Sequence, residues 1–107
     1  MEKVIGVDLG GTKINACLVD KEGHIIERNT VDTEAKKGRN VVLNNIKKAI
    51  YGLSFKEAVA IGIGTPGFID ADKGVVTFSG NIDGWTGLNL KEAVEDFIDL
   101  PVFVEND

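Results

Sequence analysis

A single cysteine, Cys17, among 107 residues removes two classes of protein at once. No internal disulfide can form, and no second thiol is present to complete a cysteine-based metal centre. Cys17 lies among apolar neighbours in a stretch that reads as a strand, which predicts a buried, inert thiol. Long apolar runs are also lacking: none reaches the roughly 18 residues a bilayer-spanning helix needs. The opening Met-Glu-Lys-Val-Ile-Gly has neither the apolar core nor the cleavage site of a signal peptide, so a cytoplasmic protein with no membrane partner is expected. Positive charge is scarce, with 12 Lys and Arg against 17 Asp and Glu and a net charge of −5. Lys36-Lys37 and Lys47-Lys48 are only pairs, which argues against a nucleic-acid partner, because phosphate backbones are held by clustered positive charge. The one histidine, His24, follows a glycine turn with no neighbouring Cys or His, and reads as a surface residue rather than a ligand.

What is present fits one globular domain with one core: 43% of residues are hydrophobic and 27% charged. No repeat, low-complexity tract or linker divides the chain. Val4-Ile-Gly-Val-Asp-Leu9 is nearly continuous apolar sequence, as for a strand covered on both faces, and Gly10-Gly11 then predicts a hairpin turn. Alternating Ile14, Ala16 and Leu18 give a second strand over 13–19, and Asp20-Lys-Glu-Gly23 turns into a more polar edge strand over 24–33. Val42, Leu43, Ile46, Ala49, Ile50 and Leu53 recur at spacings of three and four, which makes 39–53 an amphipathic helix. Ala58–Thr65 reads as a buried strand, 68–78 as a small hairpin, and Asn89 with Glu92 as the cap of a second helix whose buried stripe is Leu90, Ala93, Val94, Phe97 and Ile98. Pro101 opens a last strand, Val102–Val104, so the order is βββαβαβ in an α/β fold with a mixed sheet.

Three constellations could carry chemistry. Asp8-Leu-Gly-Gly-Thr-Lys13 is a two-glycine turn with an acid before it and a hydroxyl and an amine after it. Positive φ at the glycines and close backbone approach would let successive N–H groups face a phosphate, and an ordinary hairpin remains the alternative. The spacing matches neither a Walker A loop nor a dinucleotide fingerprint. A carboxylate at the end of an apolar strand, as at Asp8, is costly unless it serves a water-bound Mg²⁺ or a hydrogen-bond network. Gly62-Ile-Gly-Thr-Pro-Gly67 ends a strand in small residues that leave room either for a ligand or for another strand's backbone. Asn106-Asp107 ends the last strand: Asp107 could take a proton from a hydroxyl and Asn106 could bind vicinal hydroxyls, with a simple solvated end as the alternative. Ligands of open α/β sheets bind at the carboxyl ends of strands, where all three constellations would meet. Trp85, in the loop 83–87, reads as an anchor for that loop.

These motifs, with Asn81 and Gly84-Trp85 between them and Pro101-Val102 and Glu105-Asn106-Asp107 after them, resemble in order and spacing the ROK family of sugar kinases and sugar-responsive repressors. The resemblance implies a ribonuclease-H-like fold of the actin-like ATPase superfamily, with residues 1–107 as the N-terminal lobe of a longer kinase. It implies ATP and Mg²⁺ near Asp8, Gly10, Gly11, Thr12 and Lys13. It implies a hexose or hexosamine near Gly67, Ser79, Gly80, Asn81 and Asn106, with Asp107 as general base for transfer to a hydroxyl, the 6-hydroxyl of a hexose being expected. A homodimer is compatible with the family. Family members continue well beyond this length, and the further part carries other sugar contacts, a zinc motif in many members and the adenosine site, so neither zinc nor a complete ATP pocket is expected in these 107 residues. The rivals are the effector-binding part of a repressor, for which the first strand leaves no room at the usual place of a DNA-binding domain, an actin-like or chaperone-like ATPase, and a mere folding or assembly unit.

Overall fold

In the computed structural model, residues 2–107 are described. Strands β1 (Lys3–Leu9), β2 (Lys13–Asp20) and β3 (Ile25–Asp32) form a meander, a 3₁₀ turn (Ala35–Lys37) leads into helix α1 (Arg39–Tyr51), and β4 (Ala58–Thr65) follows. The hairpin β5 (Phe68–Asp70) and β6 (Val75–Phe78), helix α2 (Leu90–Glu95) and β7 (Val102–Asn106) complete the chain. The main sheet runs β3-β2-β1-β4-β7, with β1 antiparallel to β2 and parallel to β4, and β4 parallel to β7. This is the mixed sheet and element order read from the sequence, with the 68–78 hairpin as its excursion.

Both helices lie on one face. α1 packs on β2 and β3 and α2 on β7 and β6. Their apolar stripes meet Ile5, Val7, Leu9, Ile14, Ala16, Leu18, Ile61 and Ile63, all buried. Each such side chain contributes about 1.5–3 kcal/mol when fully removed from water, so this layer carries the stability. The opposite face is uncovered: Val4, Gly6 and Asp8 pair across it with Val19, Cys17 and Asn15, and with Ala60, Gly62 and Gly64. The apolar run of β1 therefore does not mark a strand covered on both sides, since Val4 is 42% exposed. Cys17, on the same face, is half-buried rather than enclosed. No helix among the described residues is long and apolar enough to cross a membrane.

Asn89 caps α2 through Oδ1, which accepts from the Glu92 amide at 3.0 Å. The returning bond differs from the usual capping box, because Glu92 accepts from the Asn89 side-chain amide instead of the backbone. At the other end of α2, Glu95 ties the helix to β7: its carboxylate accepts from Lys91 Nζ at 2.8 Å and from the Val102 amide at 3.1 Å. Lys91 first, and the Val102 N–H second, hold the Glu95 carboxyl below its ordinary value of 4.5. A depressed carboxylate stabilises the fold above its unfolded pKa and loses that contribution as pH falls through the folded one. The loss of stability on acidification below pH 4.5 should accordingly be smaller in Glu95→Gln than in the parent, measured by urea unfolding from pH 7 to pH 3; equal slopes in the two proteins would show that the pairing is without effect.

Candidate functional site

The register of the parallel strands decides which chain ends meet. Asp8 of β1 lies beside Gly64 of β4, Gly64 beside Glu105 of β7, and Thr65 beside Asn106. The carboxyl ends of three strands thus reach one edge of the sheet. A Cβ on Gly64 would stand 3.1 Å from the Asp107 Cβ, so the missing side chain leaves Asp107 room to lie against β4 just past the end of β7. Gly67, at φ 104, plays a different part: a side chain there would collide with the Phe78 carbonyl and with Ser79. The small residues of this segment accordingly make room for another strand's backbone at Gly67, for Asp107 at Gly64, and for nothing at Gly62, where the space is open.

Asn106 donates its side-chain amide to the Gly67 carbonyl, which joins the end of β7 to the turn after β4. Beneath them Thr65 is fully buried; its Oγ1 accepts from Trp85 Nε1 at 3.0 Å, and its carbonyl accepts from the Asp107 amide at 3.1 Å. Trp85 is fully buried and fixes the 79–87 loop to the strand end. Thr86 closes the loop on itself, with Oγ1 accepting from the Ser79 amide at 3.0 Å and lying 3.2 Å from the Ser79 carbonyl, to which it can donate. The loop's other mooring is Arg39, whose Nε donates to the Gly84 carbonyl at 2.7 Å. Ser79 is buried by these bonds, whereas Gly80 and Asn81 are exposed.

Asn81 borders a cleft of about 540 Å³ together with Gly11, Thr12, Asp32, Glu34 and Lys36. The glycine hairpin forms its wall. Neither Gly10 nor Gly11 takes a positive φ, contrary to the expectation for this turn. Gly10 is needed because a Cβ would come within 3.0 Å of the Lys13 carbonyl, while at Gly11 a Cβ would meet nothing within 4 Å. The amides of Gly11 and Thr12 donate to no group among the described residues, which leaves two exposed N–H donors at the tip. The Asp8 side chain is exposed and makes no hydrogen bond or ion pair among the described residues, so the burial cost argued for it from the sequence does not arise. It borders a groove of about 510 Å³ on the uncovered face with Gly6, Asn15, Gly62 and Gly64. Lys13 turns its ammonium to Asp32 on the neighbouring strand.

Three buried or half-buried contributors were not singled out in the sequence: Thr33, Asn45 and Glu34. Thr33 Oγ1 donates to the Gly10 carbonyl at 2.8 Å, and Asn45 Nδ2 donates to the Thr33 carbonyl at 3.1 Å and to Glu34 Oε1 at 3.0 Å. Lys37, paired at 2.6 Å, and then Asn45 hold the Glu34 carboxyl below its ordinary range. The only trace of this group in the sequence is an asparagine within the apolar stripe of α1. His24, exposed as expected, lies with Asp20 and Glu22 in the β2–β3 turn, away from these strand ends.

The profile of the ROK family matches residues 4–107. A glucokinase of Thermotoga maritima is 40% identical over 106 residues, 98% of this chain and 33% of that protein. The crystal structure of a ROK family glucokinase from Streptomyces griseus in complex with glucose and AMPPNP superposes with a TM-score of 0.88 at 41% identity, covering 97% of this chain and 33% of the other. The xylose repressor of Bacillus subtilis is 31% identical over 113 residues, 96% of this chain and 28% of the repressor. The chain thus spans about a third of the length of the curated relatives it matches. These likenesses give the sheet its place in the actin-like, ribonuclease-H-like fold.

The two strand-end glycines should respond differently to a methyl group. Gly67→Ala, strained in φ and in collision with β6, should lose more than about 2 kcal/mol of unfolding free energy, and Gly62→Ala less than about 1 kcal/mol. Denaturant titration of both variants reads this, and losses of equal size would contradict the close approach at Gly67.

Proposed function

The chain belongs to the ROK family, and from that premise we propose that it is the N-terminal lobe of an ATP-dependent hexose kinase. The observation that carries this reading is the circuit of groups around the strand ends. The register of β1, β4 and β7 sets Asp8 and the pair Asn106-Asp107 at one end of the sheet, and Gly11 and Thr12, whose amides have no acceptor among the described residues, share a cleft with Asn81. The glucokinase relative and the glucose and AMPPNP complex of the Streptomyces griseus enzyme support it.

In this reading the hairpin Gly10-Gly11-Thr12-Lys13 receives the ATP phosphates. Phosphoryl transfer leaves a protein mainly the tasks of positioning and charge stabilisation, and donor N–H groups that need no rearrangement serve both. Gly11 suits this work, since space is open where its side chain would be. Asp8, exposed and unpaired, is the residue that would hold Mg²⁺ through water, and the ion when bound neutralises charge on the phosphates. Gly67, Ser79, Gly80, Asn81 and Asn106 line the hexose, Ser79 through its place in the loop, because its side chain is buried. Asp107 accepts the proton of the attacking hydroxyl, the 6-hydroxyl of a hexose, as that oxygen bonds to the γ-phosphorus and ADP leaves with the bridging oxygen's electrons. Closure of a second lobe over the cleft would keep water from the phosphoryl group, so residues 1–107 alone are proposed to be inactive.

The xylose repressor match favours a second reading, the effector-binding part of a sugar-responsive regulator. Assay of the full-length protein against a panel of hexoses and hexosamines with ATP separates the two: turnover of one sugar supports the kinase, and sugar binding without turnover supports the regulator. Within the kinase reading, Asp107→Asn should lower turnover by about 10²–10⁴-fold while sugar affinity stays within a few-fold. Near-normal turnover in that variant would remove Asp107 from the base role.

A further inference from the structure

Two of the four buried polar side chains among the described residues are Thr33, just after β3, and Asn45, on the inner face of α1. Neither faces the cleft in which Asn81, Gly11 and Thr12 meet. Asn45 nevertheless bonds to Thr33, and Thr33 bonds directly to the glycine hairpin. Thr33 holds it twice, since Oγ1 donates to the Gly10 carbonyl at 2.8 Å and its amide donates to the Thr12 carbonyl at 2.9 Å. Asn45, 4% exposed on the inner face of α1, holds Thr33 in turn by donating to its carbonyl at 3.1 Å. Its second amide hydrogen serves Glu34 Oε1 at 3.0 Å, and Glu34 has the left-handed φ of 58 at which the chain leaves β3. A left-handed conformation is unfavourable for a residue with a side chain and persists when its surroundings determine it. Lys37 and Asn45 are those surroundings.

The consequence lies in peptide geometry. In a trans peptide the C=O of one residue and the N–H of the next point in opposite directions across a rigid plane. A carbonyl of Gly10 fixed on Thr33 therefore fixes the N–H of Gly11 away from Thr33. That N–H has no acceptor among the described residues, Gly11 is exposed, and the space where a Cβ would stand is open. We propose that Thr33 and Asn45 are positioning residues that hold the Gly11 amide in the orientation that donates to a nucleotide phosphate. The proposal rests on the kinase reading above and extends it to two side chains that touch neither substrate.

The test uses the full-length protein and AMPPNP, with calorimetric dissociation constants for the nucleotide and for the hexose found to be the substrate. Thr33→Val keeps the shape and removes the donor. It should weaken AMPPNP about ten-fold, leave hexose affinity within a factor of about two, and be rescued by Thr33→Ser. Asn45→Ala should move AMPPNP affinity in the same direction. Should Thr33→Val fail to fold, Thr33→Ala against Thr33→Ser makes the same comparison. Unchanged AMPPNP affinity in folded Thr33→Val, or equal losses for nucleotide and hexose, would overturn the positioning role. Failure of the kinase reading looks different, because the unsubstituted protein would then bind no AMPPNP and phosphorylate no sugar, and the positioning role would fall with it.

Discussion

Parallel pairing of β1 with β4 and of β4 with β7, in the register that sets Asp8 beside Gly64 and Gly64 beside Glu105, is the constraint on which the candidate site depends. It brings three carboxyl ends to one edge of the sheet although Asp8, Gly64 and Glu105 lie far apart in the chain. Loops and cap residues then work from that edge. Thr65 is the common point: one buried hydroxyl receives the Trp85 indole, and the same residue's carbonyl receives the Asp107 amide. A one-residue slip of β4 would turn its inward side chains to the uncovered face and separate these partners. Burial of Ile61 and Ile63 under the helices works against such a slip.

The two faces of the sheet divide the labour. The helix-covered face supplies stability through its apolar layer, and the polar residues admitted into that layer, Thr33, Asn45, Thr65 and Ser79, all make hydrogen bonds to loop or hairpin backbone or to a loop side chain, or anchor the ends of such loops. Buried polar groups are tolerated when they are fully partnered, and in exchange they fix geometry that apolar packing leaves loose. No buried side-chain nitrogen or oxygen among the described residues lacks a partner. The exposed groups at the strand ends behave differently. Among the described residues the Asp8 carboxylate and the amides of Gly11 and Thr12 have no partner, and at the surface water can serve them until a ligand replaces it.

Much of this arrangement was legible in the residues. The period of two in β2 and the three-four spacing of α1 follow directly from which side chains meet the core, and Asn89 and Glu92 announced α2 because capping is local chemistry. The strand ends were legible as well, since a run of apolar residues stopping at Asp8, at Thr65 and before Asn106 marks each carboxyl end. Coverage was not. Val4 and Cys17 read as buried because hydrophobicity says what a side chain tolerates, and the uncovered face of β1 depends on where distant elements pack. The turn at Gly10-Gly11 misled in conformation for a similar reason: two glycines permit positive φ without requiring it, and a steric limit set by the Lys13 carbonyl fills that role. Thr33 gave no local signal, because its hydroxyl is explained only by Gly10, 23 positions away in the chain.

In the proposed kinase the glycine hairpin and the strand-end acids are the two halves of one phosphoryl-transfer site. A crystal structure of the full-length protein with AMPPNP and its preferred hexose tests this most directly. A γ-phosphate oxygen is expected within hydrogen-bond distance of the Gly11 amide, with the hexose between Asn106 and the Asn81 loop and one hydroxyl against Asp107. Nucleotide phosphates bound away from the hairpin, or a hexose with no hydroxyl near Asp107, would contradict it.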